Sequence, residues 1–273
     1  MKFARTRILD VAVANVYFEL TRAFNRLGPT AALSSGQAVV YYRLAIMSKD
    51  GDWIAHETAE ACDRILAVLS EHGARYRPSA PLDVRWLQGG WSSHFEFADG
   101  AGRRVRCDFV SRPPRVPHQA LGALFEQHAP GDLLVVDREA LIRLKQTARA
   151  KDYAIIGELA RQLPPDREVE WTTDVDRIME LSAAAPAESA RPSVLAARAG
   201  AGRAAVVAAL AQEIDTLQRV DRERLAIYQG AADNYLVEFN RSGLDALPLR
   251  AAHEAACRLA STLLPQQPLR RDA

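Results

Sequence analysis

The stretch of sequence that decides the fold is Ser48-Lys49-Asp50-Gly51-Asp52-Trp53-Ile54. It predicts a short strand from Asp50 to about Ala55. Because the side chains of a strand alternate between its two faces, Asp50 and Asp52 share one face and Trp53 points to the other, into the core. Two carboxylates placed in this way can share a hard divalent cation.

The Asp-x-Asp spacing is unspecific by itself, because Asp174-Val175-Asp176 repeats it where the sequence favours the start of a helix. Two further features support a site at Asp50. Upstream, Ser35-Gly36 opens a predicted helix that runs to Tyr42, and the free N–H groups of a helix start can hold phosphate oxygens. Downstream, alternation in a strand from Arg103 to Val110 puts Arg104, Arg106 and Asp108 on one face.

Around this motif the sequence predicts a mixed α/β front half and a helical back half. The predicted strands are 84–87, 93–97 and 103–110, the last two joined as a hairpin through 99–102, and a short buried strand at 133–136. Predicted helices cover an apolar face from Leu9 to Leu27, a second face from Ala61 to Leu69, and residues 138–148, 151–163, 175–184, 203–228 and 249–264. Residues 186–202 have the composition of a linker, Asp137 is placed to cap the helix after it, and 265–273 form the tail.

Composition sets the class of protein but no activity. The chain has 273 residues, of which 48% are hydrophobic and 25% charged, with a net charge of +1, so bulk charge does not indicate nucleic-acid binding. Its three cysteines show neither a disulfide framework nor zinc-ligand spacing. Polar residues interrupt the apolar positions after Lys2, Arg5 and Arg7, so we expect no signal peptide or membrane span and a cytoplasmic protein.

Three stretches together resemble a known superfamily. They are Ser35-Gly36-Gln37-Ala38, then Ser48 to Ile54, then Asp108 within an apolar strand. This order is similar to that of nucleotidyltransferases of the DNA-polymerase-β-like superfamily. The resemblance implies two Mg²⁺ ions bound by Asp50, Asp52 and Asp108, which would also be the catalytic residues, and an NTP whose phosphates contact Ser35 and Gly36.

Residues 141–153 resemble the Lys…Arg-x-Lys-Asp segment of AbiEii-like bacterial nucleotidyltransferases, several of which are toxins of toxin–antitoxin pairs. That resemblance implies nucleotide binding by Lys145, supported by Arg149, Lys151 and Asp152, and a possible antitoxin-like partner protein. The alternative is a solvated helix junction capped by charge. Ser35 departs from the family, since such relatives usually have Gly at that position.

We therefore expect an α/β domain of the nucleotidyltransferase type over residues 1–136 and a helical domain over residues 137–273. The expected activity is metal-dependent transfer of a nucleotidyl group from an NTP to an acceptor hydroxyl. The acceptor stays open between tRNA, a protein and a small molecule. The alternative function is a non-catalytic module that senses nucleotides or binds a partner on the same fold.

Overall fold

The computed structural model describes residues 15–126 and 128–268, which form a mixed sheet followed by helices. The five strands are β1 (Ala31–Ser34), β2 (Asp50–Ala55), β3 (Arg75–Tyr76), β4 (Ser93–Ala98) and β5 (Arg104–Val110). The first helices are α1 (Val16–Phe24), α2 (Ser35–Tyr41), α3 (Ala59–Glu71), α4 (Val84–Leu87) and α5 (His118–Glu126). They continue with α6 (Arg138–Lys145), α7 (Ala150–Ala160), α8 (Pro165–Trp171), α9 (Val175–Leu181), α10 (Pro192–Arg198), α11 (Arg203–Arg241) and α12 (Leu249–Leu263). The predicted fold class, a mixed α/β sheet followed by a helical region, is confirmed.

The sheet has the strand order β1-β2-β5-β4-β3. Strands β2 and β5 pair in parallel, and the other neighbours are antiparallel. The hairpin between β4 and β5 closes through Asp99, whose carboxylate accepts hydrogen bonds from the N–H groups of Ala101 and Arg103. The order places β2, which carries the Asp-x-Asp motif, in the middle of the sheet beside β5.

One face of the sheet is buried under α1, α3, α12 and the end of α11. Trp53 and Phe109 stack there with ring centroids 5.2 Å apart, and neither is exposed. Gly51 lies beneath Trp53, where a Cβ atom would come within 2.4 Å of both the Trp53 ring and the Tyr17 ring. The residue between the two aspartates must therefore be Gly, and the predicted core position of Trp53 is confirmed.

The opposite face is apolar near the amino-terminal end of β1 and the carboxyl-terminal end of β2, which lie side by side in the antiparallel pair. There Ala32 and Ile54 pack with residues of α6 and α7, among them Leu141 and Ile156. A third, smaller cluster of α8 to α11 holds the remaining helices together. Both sheet-face clusters combine residues from before and after residue 136. The division into 1–136 and 137–273 stays a prediction.

Several predicted elements need correction. The proposed strand 84–87 is wrong: these residues form α4, because the Asp83 side chain caps its first turn by accepting from the Arg85 N–H. The linker at 186–202 contains α10, which begins at Pro192, a residue suited to the first turn of a helix. Residues 133–136 form only one bridge, from Val135 to Leu33, rather than a strand.

Other differences concern length. The long helix α11 continues to Arg241, beyond its predicted end, whereas α6 ends at Lys145 and α7 at Ala160, before theirs. The sequence pattern does not predict β1, β3, α5 or α8. The predicted start of α1 at Leu9 and Val13 and the last part of the tail, 269–273, lie outside the described residues.

Within residues 15–126 and 128–268, every helix is either too short or too polar to cross a bilayer. The cysteines Cys62, Cys107 and Cys257 are free thiols, as their spacing indicated.

Candidate active site

The site begins at the junction between β1 and α2. Ser35 has a φ angle of +48°, in the left-handed region that favours glycine, so its backbone is strained. A Cβ atom on Gly36 would lie 2.2 Å from the Ser48 Oγ, so the junction packs directly against the turn that leads into β2. The buried Gln37 fixes this approach, because its amide donates a 2.9 Å hydrogen bond to the Ser48 carbonyl.

The three predicted carboxylates lie on one face of β2 and β5. In the parallel pair, Asp52 stands opposite Asp108 and Asp50 stands opposite Arg106. The intervening Cys107 and the following Phe109 are buried on the other face. Strand alternation thus places Asp50, Asp52 and Asp108 on the same face of the sheet.

Two of these carboxylates have arginine partners. Asp108 Oδ1 accepts a 3.2 Å hydrogen bond from Arg77 Nη1, and Asp50 Oδ1 lies 3.6 Å from Arg106 Nη1. Glu96 on β4 lies 3.8–3.9 Å from both arginines and links the two pairs. Arg106 was expected on this face, but Arg77 and Glu96 were not singled out by the sequence, since no spacing relates them to the motif.

Burial raises the pKa values of two of these carboxyl groups, Asp52 and Asp108. The pKa of Asp52 is raised to about 6, chiefly by burial and then by the charge of Asp108, while the Ser35 hydroxyl and Lys145 oppose the shift. The pKa of Asp108 is also raised to about 6, again chiefly by burial, with Arg77 acting against it and Asp50 adding to it. Two neighbouring carboxyls with raised pKa values are typical of functional sites.

Lys145 at the end of α6 is buried, and so is its partner Asp152. The ammonium lies 3.3 Å from Asp152 Oδ1, while Thr147 and Arg149 donate to Oδ2 at 2.7 and 2.8 Å. Because Lys145 lowers the pKa of Asp52, its charge acts at the site. Lys145 and Asp152 are buried rather than solvated, and their ion pair at the junction of α6 and α7 also fits the alternative of a junction capped by charge, so both interpretations stay open. Lys151, by contrast, is exposed at the start of α7.

His94 is not among the site residues that the sequence predicts, because its spacing to the other histidines does not indicate a metal ligand. It stands directly opposite Asp108 in the antiparallel pair of β4 and β5. Its pKa is lowered to about 4, mainly by burial and secondly by Arg77, so the imidazole is neutral at pH 7. Its Nε2 lies 2.9 Å from the Ser92 Oγ. His94 therefore adds a neutral hydrogen-bonding group beside Asp108.

A groove of about 980 Å³ opens beside Asp50. It runs between α1, the loop after α2 and the β4–β5 hairpin, and its walls include Tyr17, Lys49 and Arg106. The Tyr17 hydroxyl donates a 2.7 Å hydrogen bond to the Lys49 carbonyl, which anchors the turn before the motif. This groove gives solvent and ligands access to the amino-terminal end of the motif.

The donors at the site are chemically suited to a hard cation such as Mg²⁺. Asp50 Oδ1 is buried and accepts no hydrogen bond, and the Nε of Arg106 is buried and donates none. In the arrangement described for residues 15–126 and 128–268, no three His, Cys, Asp or Glu side chains are grouped closely enough to hold a metal ion. Metal binding here requires Asp50 and Asp108 to turn away from their arginines.

Comparison with known proteins gives little beyond overall shape. No family model matches the chain. No curated protein matches it either. Two solved structures from Helicobacter pylori are similar in part. The protein JHP933 is 12% identical, with a TM-score of 0.40 over 80% of this chain and 96% of its own. A second protein, proposed to be a nucleotidyltransferase, is 13% identical, with a TM-score of 0.39 over 76% of this chain and 96% of its own. Likeness at this level assigns neither residues nor an activity to this chain.

Proposed function

We propose that this protein is a nucleotidyltransferase that moves a nucleotidyl group from an NTP to an acceptor hydroxyl. The observation that carries the proposal is the pairing of Asp52 with Asp108 on adjacent parallel strands, next to the Ser35-Gly36 junction and within the field of Lys145. A triphosphate needs positive charge near it, and a metal ion needs carboxylates. This site has Lys145 for the first and Asp52 with Asp108 for the second. The protein would act in the cytoplasm, where NTPs are abundant.

In this proposal the phosphates lie against Ser35, Gly36 and Lys145. The first-turn amides of α2 and the lysine ammonium would offset the negative charge of the triphosphate. Asp152 and Arg149 act indirectly: Asp152 holds the ammonium of Lys145, and Arg149 holds Asp152. Lys151, which is exposed, would contact only the outer part of a bound nucleotide.

Asp108 is the proposed general base. Its pKa of about 6 lets it stay ionised at neutral pH and still accept a proton, which is the balance that general-base catalysis favours. The carboxylate would take the proton of the acceptor hydroxyl as that oxygen forms a bond to the α-phosphorus. The bond from the α-phosphorus to the bridging oxygen breaks, and pyrophosphate leaves.

Asp50, Asp52 and Asp108 would hold two Mg²⁺ ions, which neutralise the attacking and leaving oxygens when bound. Asp50 Oδ1, which is buried and accepts no hydrogen bond, supports this assignment. The arginine pairs of Asp50 and Asp108 must open first, so Arg77 and Arg106 become available to an anion when a cation takes the carboxylates.

A single experiment tests the proposal. The protein is incubated with each α-labelled NTP in turn, Mg²⁺ and cell extract, and the labelled product is identified as RNA, protein or small molecule. Asp52→Asn should abolish labelling. Asp174→Asn is the matched control, because Asp174 belongs to the second Asp-x-Asp but caps α9, and it should label like wild type. Equal labelling by wild type and Asp52→Asn would overturn the proposal.

The arginine pairs also favour a second candidate, a module that binds nucleotide without turnover. A site whose carboxylates are already neutralised by Arg77 and Arg106 can bind an anion without a metal. This candidate predicts NTP binding that is unaffected by chelators, and a stable complex with a second protein, such as an antitoxin-like partner. Transfer of label would exclude it.

A further inference from the structure

A buried carboxylate of α11 holds the junction between α6 and α7. Asp221 lies in the middle of α11, and its side chain is only 5% exposed. Its Oδ2 accepts a 2.8 Å hydrogen bond from the Ala148 N–H, in the segment that joins α6 to α7. Its Oδ1 lies 3.4 Å from Arg115 Nη2 and 3.7 Å from Arg224 Nη2. Asp221 therefore connects the long helix to two other parts of the chain.

The bond to Ala148 leads to Lys145. Thr147, the residue before Ala148, donates from its N–H to the Lys145 carbonyl at 2.8 Å. The Thr147 hydroxyl donates to Asp152 Oδ2 at 2.7 Å, and Asp152 Oδ1 lies 3.3 Å from the Lys145 ammonium. Because Thr147 and Ala148 are adjacent in the backbone, a shift of Ala148 would move the groups that hold both the carbonyl and the ammonium of Lys145.

The contact with Arg115 leads to the same helix end. Arg115 lies between β5 and α5, and its Nε donates to the Arg143 carbonyl at 3.4 Å, in the last turn of α6. Its φ angle is +67°, in the left-handed region that is costly for a residue other than glycine. Such a conformation persists where the surroundings hold it, and here the guanidinium is held between Asp221 and Arg143. Both contacts of Asp221 thus fix the last turn of α6, which ends at Lys145.

Charge alone does not account for this arrangement. Neutralising Arg115 and Arg224 would not require a hydrogen bond from the Ala148 N–H. The carboxylate therefore orients a backbone group as well as balancing charge. Lys145, at the other end of these contacts, lowers the pKa of Asp52, so its position matters at the site.

We infer that Asp221 is a positioning residue for the nucleotide site: it fixes the last turn of α6 so that the Lys145 ammonium stays near Asp52 and meets the triphosphate. Its part in nucleotide binding rests on the proposed function, in which Lys145 contacts the phosphates. Asp221 itself is too deeply buried to touch a nucleotide, and it acts only through the junction of α6 and α7.

Calorimetry of ATP binding to the intact chain tests this role. Asp221→Leu removes both contacts and should weaken ATP binding about three- to tenfold. The upper limit is the loss expected for Lys145→Met, because a residue that acts through Lys145 cannot cost more than Lys145 itself. Glu168→Leu is the matched control, because Glu168 is equally buried and pairs with Arg177 on α9. It should bind ATP like wild type.

A double variant separates positioning from a general loss of stability. If Asp221 acts through Lys145, then Asp221→Leu combined with Lys145→Met should bind ATP no more weakly than Lys145→Met alone. If the two residues act independently, their losses multiply, and the double variant should bind ATP about thirty- to a hundredfold more weakly than wild type. The second result overturns the inference, as does unchanged ATP binding in Asp221→Leu.

Asp221→Asn serves if the leucine variant does not fold. It keeps an acceptor oxygen for the Ala148 N–H and loses the charge that faces Arg115. Its affinity for ATP should lie between those of wild type and Lys145→Met, and it should add no loss when combined with Lys145→Met. An affinity equal to that of wild type overturns the inference.

Failure of the proposed function gives a different result, in which wild type itself binds no ATP. Amide hydrogen exchange then decides the role of Asp221, because it needs no ligand. Exchange over residues 145–152 should be faster in Asp221→Asn than in wild type and unchanged in Glu168→Leu, measured where all three proteins are folded by circular dichroism. Equal exchange in Asp221→Asn and wild type overturns the positioning role.

Discussion

Replacing Asp108 by Asn removes one carboxylate from the sheet face and keeps the shape of the side chain. Burial and the charge of Asp50 raise the pKa of Asp108 to about 6 from 3.8, despite Arg77 and Arg106. A difference of about two pH units corresponds to about 3 kcal/mol against the ionised form. Because the side chain is 26% exposed and Arg77 loses a charged partner, we expect a net gain of about 1–2 kcal/mol in the free energy of unfolding at pH 8.

The gain in the free energy of unfolding should be larger at high pH than at low pH. A carboxyl whose pKa is raised by folding contributes stability below about pH 4, and this stability is lost as the pH rises through about 6. Asp108→Asn should therefore melt about 2–6 °C above wild type at pH 8, and the difference should disappear near pH 4. Thermal unfolding followed by circular dichroism without metal measures this. Asp63→Asn is the control, because Asp63 is 71% exposed, and its melting temperature should not change.

The same variant should lose activity. Removing a general base costs about a hundred- to ten-thousandfold in rate, so the stabilised variant should transfer almost no labelled nucleotide. Greater stability with lost activity is a combination that a purely structural residue would not give. An Asp108→Asn protein that melts below wild type at pH 8 would refute the electrostatic reasoning, and one with full transfer activity would refute the catalytic role.

Three further changes probe the neighbouring residues. Lys145→Met should weaken ATP binding about tenfold and lower the free energy of unfolding by about 1–3 kcal/mol, because it takes one partner from the buried Asp152. Calorimetry measures the binding and denaturant unfolding measures the stability. Unchanged values for both would show that the Lys145–Asp152 pair contributes to neither. Gly36→Ala should destabilise by about 1–3 kcal/mol, because its Cβ would meet the Ser48 Oγ, and adding Ser48→Gly should restore part of the loss in the same unfolding assay. Arg77→Met should raise the pKa of Asp108 further, so the acid limb of the rate profile for transfer should move to higher pH; a profile that stays in place would contradict the pairing.

The strands that carry the motif could be predicted because local pattern determines them. Alternation of polar and apolar residues fixed the faces of β2 and β5, since a shift by one residue would bury the aspartates. The same reasoning failed at 84–87, where four mixed residues fit a strand or a helix turn equally well. Asp83 decides the matter there by capping α4. The edge strand β1 was not predicted, because Ala31 to Ser34 contains no alternation and the strand forms through its pairing with β2.

The two Asp-x-Asp motifs show what spacing alone can and cannot establish. Asp174 caps α9, with its carboxylate accepting from the N–H groups of Asp176 and Arg177, as the sequence favoured. Asp50 and Asp52 have the same spacing but stand on a strand beside Asp108. The difference lies in the flanking residues, because Trp53 and Ile54 are buried strand residues, whereas the residues after Asp174 follow a helical period.

The arginines of the site could not be predicted, because they reach it only through the strand order. Arg77 is 31 residues from Asp108 in sequence, and it meets this aspartate because β3 and β4 follow β5 across the sheet. The consequence is a face on which Arg77 lies against Asp108 and Arg106 lies against Asp50. A cation alone would leave the arginines unpaired, and a triphosphate alone would compete with the carboxylates. When metal and nucleotide bind together, the metal pairs with the aspartates and the phosphates pair with the arginines. The affinity for metal should therefore be higher when nucleotide is bound, and the affinity for nucleotide should be higher by the same factor when metal is bound.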